Sequence, residues 1–211
     1  MIDYSVEAAK IFDKYAVFYA EKYGDVSLYR DSLQLFSNAL PNRASILELG
    51  CGPGNVTKFV LDLRPDLLIL ATDLAPNMLQ LAKQANPTIQ TKILDCRHIA
   101  QLTGQYEGIL CAFCLPYLSK AEALQFIRDA ATLLQKGGLL YISTMEDLNS
   151  NSRIQKGSQG DEVFMNYHEG TYLVEDLQAH GFELIHEDRI TYPAPDGSTT
   201  VDLILIVKRV G

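Results

Sequence analysis

The chain contains 211 residues, of which 26 are acidic and 18 are basic, so its formal net charge at pH 7 is −8. This length fits one α/β domain with a full core, and the surplus of acids argues against nucleic-acid and membrane-surface binding and favours a small-molecule ligand. The N-terminal stretch MIDYSVEAAK shows no basic segment followed by an apolar block, and the longest apolar runs are too short to span a bilayer, so we expect a cytoplasmic protein that makes no membrane contact.

Two helical segments are predicted before the first strand, over Ser5–Tyr23 and Val26–Leu40. In the second segment apolar residues recur on one stripe, which indicates packing against a sheet. In the first, Tyr15, Tyr19 and Tyr23 follow one another at four-residue steps and therefore share one face. Because tyrosine is amphipathic, this row either packs in the core or covers a polar pocket.

From residue 45 onward, short apolar runs alternate with segments of helical periodicity. Five runs read as strands, namely SILELG, LLILATD, TIQTKIL, YEGILCAFCL and LLYIST. The helix before the fifth strand opens at Ser119 with the spacing of a capping box, and Pro76 suits the first turn of the helix after the second strand. Repeated strand–helix units are typical of a doubly wound parallel sheet with helices on both faces.

The last portion of the chain breaks this alternation. Two long strand-like runs, GFELIHEDRITY and TTVDLILIVKR, are separated only by PAPDGS. So short a link cannot hold a crossover helix, so these strands should be antiparallel neighbours. We therefore predict an α/β protein with a seven-stranded, mostly parallel sheet, an antiparallel C-terminal hairpin and an N-terminal helical cap.

The stretch ILELGCGPGNVT places Gly50, Gly52 and Gly54 at every second position after an apolar run. Glycine destabilises regular structure by about 0.5–1 kcal/mol, so this spacing indicates a turn that a ligand or another backbone approaches closely. Backbone N–H groups and a helix N-terminus are expected to converge there on an anion. Asn55 and Val56 break the register of a phosphate-binding loop, which excludes that class. Asn55 also replaces the third glycine of the dinucleotide fingerprint.

The pattern E-x-G-x-G-x-G, with Glu48 two residues before the first glycine, resembles the first motif of class I S-adenosylmethionine-dependent methyltransferases of the small-molecule, type 11/25-like kind. The resemblance extends over residues 45–144 and implies a Rossmann-like fold whose sheet ends with an antiparallel strand. It implies S-adenosyl-L-methionine as cofactor and methyl transfer to a small-molecule acceptor. We expect a single domain, 1–211, that comprises a helical cap (1–43), a cofactor-binding core (44–145), a lid or substrate loop (146–170) and a C-terminal helix with a β-hairpin (171–211).

Acids at the next two strand ends extend the resemblance. Asp73 ends the second strand, where it is expected to accept hydrogen bonds from two ribose hydroxyls, although it would fit a nicotinamide cofactor equally well. Asp95 follows the third strand and is expected near the adenine amino group, with the Cys96 N–H at a ring nitrogen. The cofactor-binding residues implied by the resemblance are Tyr19, Glu48, Gly50, Cys51, Gly52, Gly54, Asp73, Leu74, Met78, Asp95, Cys96 and Phe113.

The sequence also departs from the family pattern. Glu107 stands where the fourth strand usually begins with Phe-Asp or Tyr-Asp, and Ala75 replaces a serine that often caps the second helix. In relatives that methylate amino groups of bases or of glutamine, the fourth strand ends with Asn or Asp, Pro, Pro, Tyr. This chain has the segment CLPY there, which lacks the polar residue and argues against that subclass.

Cys51, Cys96, Cys111 and Cys114 are too few for a disulfide scaffold, which fits a reducing compartment. Cys111 and Cys114 form a C-x-x-C inside an apolar run. On one strand, positions three apart point to opposite faces, so we expect these thiols not to share a metal ion. No second C-x-x-C completes a zinc site, and we predict no metal.

The acceptor should meet the methyl group near residues 113–117, because ligands of open parallel sheets lie beyond the carboxyl ends of the strands. In the polar stretch after the fifth strand, Tyr167 and His168 are the candidate proton acceptors, unless His168 sits in a solvated turn. Two other classes stay open: an NAD(P)-dependent oxidoreductase, and a non-catalytic protein that binds S-adenosylmethionine or its demethylated product. The acceptor's identity and the choice between monomer and homodimer are open as well.

Overall fold

The computed structural model describes residues 2–157, 159–193 and 199–211, and its centre is a seven-stranded sheet with the order β3-β2-β1-β4-β5-β9-β8. The strands of this sheet are β1 Ser45–Leu49, β2 Leu68–Asp73, β3 Gln90–Ile93, β4 Tyr106–Ala112, β5 Leu134–Met145, β8 Phe182–Pro193 and β9 Thr199–Arg209. β9 pairs antiparallel with both β5 and β8, whereas the pairs from β3 to β5 are parallel. The predicted sheet and terminal hairpin are therefore confirmed, and the link at 194–198 lies outside the described residues.

Helices cover both faces of this sheet. They are α1 Tyr4–Lys14, α2 Ala16–Lys22, α3 Arg30–Ala39, α4 Asn55–Leu63, α5 Pro76–Ala85, α6 Lys120–Leu133 and α7 Gly170–Ala179. One apolar cluster lies between the sheet and α6 and α7, and a second lies between the sheet and α3, α4 and α5. The side chain of Ser119 accepts from the backbone of Glu122 at the start of α6, which is the predicted capping box. None of the helices in the described ranges could span a bilayer, the longest having 14 residues.

The central and outer strands of the sheet differ in burial. In β1 the last four residues are buried, as expected for a strand that is covered on both faces. At one edge of the sheet, all four residues of β3 are exposed. At the other edge, β8 is exposed or half-buried along most of its length.

The N-terminal cap differs from the prediction of two long helices. The first segment breaks at Tyr15, whose φ of −111° and ψ of 24° are not helical, and the second is helical only from Arg30, after a 3₁₀ turn over Ser27–Tyr29. Both α1 and α2 contact α5, and α1 also contacts the turn over Leu115–Tyr117 that follows β4. The row of three tyrosines therefore does not lie on one continuous helix.

The segment after β5 contains a small hairpin rather than only a loop. Its strands are β6 Arg153–Lys156 and β7 Glu162–Met165. The hairpin packs against the outer side of α1, where Tyr4 and Phe164 stack with ring centroids 4.8 Å apart. An ion pair of 3.3 Å between Lys14 and Asp161 adds to this contact. The hairpin therefore supports α1 from outside.

Candidate active site

A cleft opens at the carboxyl edge of the sheet, between the strand ends and α1. The core of the fold supplies one wall, formed by Gly50, Gly52, Asp73, Leu74, Met78, Leu94, Asp95, Cys96, Ala112, Phe113, Cys114, Tyr117 and Leu118. The cap supplies the other wall, formed by Ser5, Ala8, Ala9, Phe12 and Tyr19. Nine of the twelve residues predicted to bind a cofactor thus line one cleft, and the three that do not are Glu48, Cys51 and Gly54.

The glycines of the turn after β1 have different roles. Gly52 has a φ of +54°, and a Cβ added to it would have only a ring carbon of Tyr19 nearby, at 4.0 Å. A Cβ on Gly54 would lie 2.9 Å from the Cα of Ala82 and 2.7 Å from Nδ2 of Asn86. Gly52 therefore leaves room toward the cleft, whereas Gly54 is required by the close packing of α4 on α5.

The amides of this turn do not converge on an open anion site. The Cys51 N–H donates to the carbonyl of Thr72 at 2.9 Å, and the Gly52 N–H donates to the carboxylate of Asp73 at 2.9 Å. The Gly54 N–H donates to the carbonyl of Cys51 at 3.1 Å. These three donors are already used inside the chain, so the expectation of a free amide cradle is wrong for them. The turn supplies space and a fixed carboxylate instead.

Asp73 is held in a defined orientation at the end of β2. Its Oδ2 accepts from Gly52 N and its Oδ1 accepts from Ala75 N, both at 2.9 Å. Burial raises the pKa of Asp73, and these backbone hydrogen bonds oppose that rise. A carboxylate oxygen can accept more than one hydrogen bond, so both oxygens can also receive hydroxyl groups from the cleft.

Glu48 lies behind the turn rather than in the cleft. Its side chain is 1% exposed and accepts a hydrogen bond of 2.7 Å from Oγ1 of Thr57 in α4. Burial raises the pKa of Glu48 to about 8, and the hydrogen bond from Thr57 opposes this only in part. At neutral pH the carboxyl group is therefore mostly protonated, and it joins β1 to α4 as a neutral group.

Asp95 lines the cleft, but its carboxylate is paired with Arg97. The two side chains form a bidentate pair with a shortest distance of 2.6 Å, and Arg97 also reaches Asp3 at 3.0 Å and Glu122 at 3.1 Å. Burial alone would raise the pKa of Asp95, but the hydrogen bonds from Arg97 outweigh it and lower that pKa. Arg97, which the sequence interpretation missed, thus connects the predicted adenine site to the residue that caps α1.

The sequence interpretation placed Cys111 and Cys114 on the same strand, pointing to opposite faces, but Cys114 lies outside the strand. β4 ends at Ala112, and Cys114 follows in the turn beyond it. Its thiol is in hydrogen-bond contact with those of Cys111 and Cys96. The contact with Cys111 and burial raise the pKa of Cys114, and the contact with Cys96 opposes this rise. Within the described ranges, no group of three or more His, Cys, Asp or Glu side chains is arranged to hold a metal ion.

The two candidate proton acceptors lie outside the cleft lining. His168 has no exposed surface, and its Nε2 donates to the carbonyl of Leu115 at 2.9 Å while its Nδ1 contacts the hydroxyl of Tyr172. Burial lowers the pKa of His168. The hydroxyl of Tyr167 accepts from Gln155. Both ring nitrogens of His168 are thus engaged within the protein, a geometry that disfavours proton transfer with a ligand.

Aromatic side chains close the cleft on the side of the cap. Of the tyrosine row only Tyr19 lines the cleft, and burial raises its pKa to about 12. Phe12 contacts Tyr19 and Tyr117 edge to face, with centroid distances of 5.5 and 5.1 Å. Sequence interpretation missed Phe12 and the small residues Ala8 and Ala9 of α1. Their only sequence signal is a helix face of small and aromatic residues.

The residues that line the cleft suit S-adenosylmethionine. Gly50 and Gly52 leave space beside the oriented carboxylate of Asp73, which suits a ribose with two hydroxyl groups. The apolar side chains Leu74, Met78 and Leu94 suit a flat adenine ring.

Comparison with known proteins agrees with this fit. Residues 46–138 match the family model described as a methyltransferase domain. A malonyl-[acyl-carrier protein] O-methyltransferase of Acetivibrio thermocellus is 35% identical over 138 residues, which are 64% of this chain and 46% of that protein. A ubiquinone biosynthesis O-methyltransferase of Xanthomonas campestris pv. campestris is 28% identical over 112 residues, which are 51% of this chain and 45% of that protein. The chain thus spans about half the length of these curated relatives.

The fold is shared with a solved methyltransferase structure. Magnesium protoporphyrin IX methyltransferase from Synechocystis PCC 6803, solved with bound S-adenosylmethionine, superposes with a TM-score of 0.74 at 16% identity, covering 99% of this chain and 98% of that one. The fold is therefore the Rossmann-like fold of class I methyltransferases. Residues 46–138 therefore resemble a methyltransferase domain, and the neighbouring structure with bound S-adenosylmethionine supports that molecule as the cofactor, in agreement with the sequence interpretation.

Proposed function

We propose that the chain transfers the methyl group of S-adenosylmethionine to a small-molecule acceptor. The observation that carries this proposal is the covered cleft in which the oriented carboxylate of Asp73 meets the open side of Gly52. When bound, the cofactor would supply an electrophilic methyl group: a nucleophilic atom of the acceptor would bond to the methyl carbon in line with the C–S bond, which breaks and releases S-adenosylhomocysteine.

The residues of the chain contribute mainly binding and orientation. In this proposal, Asp73 holds the ribose hydroxyls, and Leu74 and Met78 pack against the adenine. Correct placement of two reacting groups about 3–3.5 Å apart is worth up to about 7–11 kcal/mol of the barrier. The aromatic wall of Phe12, Tyr19 and Tyr117 keeps bulk water away from the reacting centre.

The cap supports a small acceptor rather than a polymer. α1 lies over the cleft and is held there by the Asp3–Arg97 ion pair and by a hydrogen bond of 2.5 Å from the Ser5 hydroxyl to the carbonyl of Tyr117. At its other end, the carboxylate of Asp13 accepts from the N–H of Asn77 at 2.7 Å. A helix fixed at both ends leaves little room for a nucleic-acid strand, and the net charge of −8 opposes one as well.

Thermal unfolding with three adenosine-containing ligands tests the cofactor. A ligand at 100 times its Kd adds about 2.7 kcal/mol, which raises the Tm of a chain of this size by several degrees. We expect this rise with S-adenosylmethionine and with S-adenosylhomocysteine but not with NAD. Stabilisation by NAD alone would favour the oxidoreductase alternative and overturn the proposal.

A labelling experiment tests transfer itself. The protein is incubated with methyl-labelled S-adenosylmethionine and a cell extract, and the products are separated by size. We expect label in the low-molecular-weight fraction. Label only in protein or nucleic acid contradicts a small acceptor, and an absence of transfer despite cofactor binding favours the non-catalytic alternative.

A further inference from the structure

A carboxyl group is buried at the carboxyl edge of the sheet, in the half that the cofactor cleft does not occupy. Asp202 of β9 has no exposed surface and lies between Met145 of β5 and Ile190 of β8. Tyr29 donates its hydroxyl hydrogen to Oδ2 at 2.7 Å, and Tyr192 donates to Oδ1 at 3.3 Å. Burying a carboxylate is costly, so its presence here points to a use rather than to stability.

Other polar groups extend this layer of the sheet toward the cofactor cleft. The hydroxyls of Ser32 and Tyr141 are 3.1 Å apart, and the Phe113 N–H donates to both the carbonyl and the hydroxyl of Ser143, at 3.0 and 3.2 Å. Further along β9 on the same face, the core is aliphatic, as at Ile204. Polar groups therefore follow this layer of the sheet from Asp202 to Phe113.

Phe113 connects this polar layer with the cofactor cleft. It lines the cleft, and its ring centroid is 5.1 Å from that of Tyr29. Its φ of +53° is in the left-handed region, which a phenylalanine adopts only when its surroundings impose it. One aromatic ring, that of Phe113, therefore separates Tyr29 from the cleft.

We propose that Tyr29, Tyr192 and Asp202, which we call the acceptor anchor, bind an amine group of the methyl acceptor and disfavour a carboxylate. This inference rests on the proposed methyl transfer and names the chemical class of its substrate. Asp202 has no exposed surface, whereas Tyr29 and Tyr192 are partly exposed, so a ligand meets the acid through the two phenols.

The hydrogen bonds to Asp202 determine whether the phenol oxygens act as donors or as acceptors toward a ligand. A phenol hydroxyl has one hydrogen, and both hydroxyls give theirs to Asp202. Only oxygen lone pairs and aromatic faces then remain for a ligand. These groups attract an ammonium or amine N–H, and they offer no donor to a carboxylate.

Two probes with the same ring and opposite charge test this preference. Tyramine carries an ammonium group, and 4-hydroxyphenylacetate carries a carboxylate. Their binding to the protein, saturated with S-adenosylhomocysteine, is measured by saturation-transfer NMR. We expect tyramine to bind at least about fivefold more tightly. Equal binding, a preference for the carboxylate or no binding of either probe overturns the proposal.

Variants assign the preference to the acceptor anchor. Asp202→Asn keeps the size but removes the charge, so the preference for tyramine should fall to near unity, and Tyr29→Phe should weaken tyramine binding by about tenfold. Asp62→Asn, an exposed acid on α4, and Tyr106→Phe, at the opposite end of β4, are matched controls that should retain the preference. An Asp202→Asn variant that keeps the preference contradicts the proposal.

Calorimetry with S-adenosylhomocysteine distinguishes a failure of the proposed function from a failure of the acceptor anchor alone. If the wild-type protein does not bind this nucleoside, the proposed function itself fails. If Asp202→Asn and Tyr29→Phe bind it normally and also keep the tyramine preference, only the acceptor anchor fails. Should Asp202→Asn give no cooperative melting transition, Tyr192→Phe serves in its place, with the same loss of preference expected.

Discussion

Two carboxyl groups are fully buried in the same sheet, one in each half. Glu48 in β1 receives one side-chain hydrogen bond, from Thr57, and burial raises its pKa to about 8. Asp202 in β9 receives two, from Tyr29 and Tyr192, and these oppose the rise in pKa that burial causes. The number of donors decides how far a buried acid is pushed toward its neutral form.

This difference separates the roles of the two acids. Glu48 is a neutral group that links β1 to α4 next to the glycine turn, although it is the acid that defines the sequence motif. Asp202 belongs to no motif, yet it is the buried acid that receives hydrogen bonds from two partly exposed phenols. A motif acid is therefore not necessarily the charged group of a site.

The largest expected effect concerns Glu48→Gln. Because the pKa of Glu48 is near 4.5 in the unfolded chain and about 8 in the folded one, its contribution to stability is fully present below about 4.5 and is lost as the pH rises through about 8. Relative to the variant, the wild type should lose about 3–5 kcal/mol of unfolding free energy between about pH 5 and pH 9. Urea unfolding across this range measures it.

The same urea unfolding experiment with Asp202→Asn measures the pH dependence that the second buried acid contributes. It should give a pH-dependent difference of the same sign but smaller, because two donors oppose the effect of burial. A difference that does not change with pH for Glu48→Gln would show that Glu48 is ionised in the folded protein. The proposed difference between Glu48 and Asp202 would then be wrong.

A second substitution tests the two glycines of the turn. In Gly54→Ala the new Cβ meets the backbone of Ala82 at 2.9 Å and the residue has a φ of +84°, so we expect a loss of about 2–4 kcal/mol and a fall in Tm of roughly 5–15 °C. Gly52→Ala meets no close atom and should cost only backbone strain of about 1–2 kcal/mol.

The variants Gly52→Ala and Gly54→Ala also distinguish an effect on ligand binding from an effect on packing. Calorimetry should show that Gly52→Ala weakens S-adenosylhomocysteine by about tenfold or more, because its methyl group enters the cleft. Gly54→Ala, where it folds, should bind with nearly unchanged affinity. The reverse order would place Gly54 rather than Gly52 at the ligand.

Asp73→Asn should weaken cofactor binding by about 1–3 kcal/mol, or roughly 10- to 100-fold. The amide retains one acceptor oxygen, so it cannot serve the N–H groups of Gly52 and Ala75 and two hydroxyls as well. Titration calorimetry with S-adenosylmethionine measures the change, with Asp62→Asn as control. An unchanged affinity would remove Asp73 from the ribose site.

The smallest effect is expected for Arg97→Gln. Losing the contacts with Asp95, Asp3 and Glu122 should lower stability by about 1 kcal/mol, because these pairs are partly exposed. Amide hydrogen exchange in α1 should become faster, since the helix loses its fixed start. Lys58→Gln, which breaks an exposed pair on α4, is the control. Unchanged exchange in α1 would show that Arg97 does not hold the cap.

The sheet and the cofactor half of the site could be predicted because their signals are local. The glycine turn and Asp73 lie within a short segment, and parallel strand order brings their ends together. The break at Tyr15 has no such signal, because its row of tyrosines continues the helical period across the residue at which α1 ends. The β6–β7 hairpin was read as loop because its strands have four residues each.

The acceptor anchor could not be predicted from local patterns. Tyr29 and Asp202 are 173 residues apart, and the packing of α3 and the turn before it on β9 brings them together. One signal was present: Asp202 is the single acid in the apolar run TTVDLILIV. An acid inside a central strand requires partners, which is reason to search for a buried polar group.

The two outer strands of the sheet affect how the protein behaves in concentrated solution. An open sheet margin with apolar side chains recruits strands from other chains and starts fibril growth. Here β3 has only four residues, and β8 carries charged side chains, among them Glu187, Asp188 and Arg189. Both margins therefore resist pairing with a neighbouring chain, and we expect aggregation through strand addition to be slow.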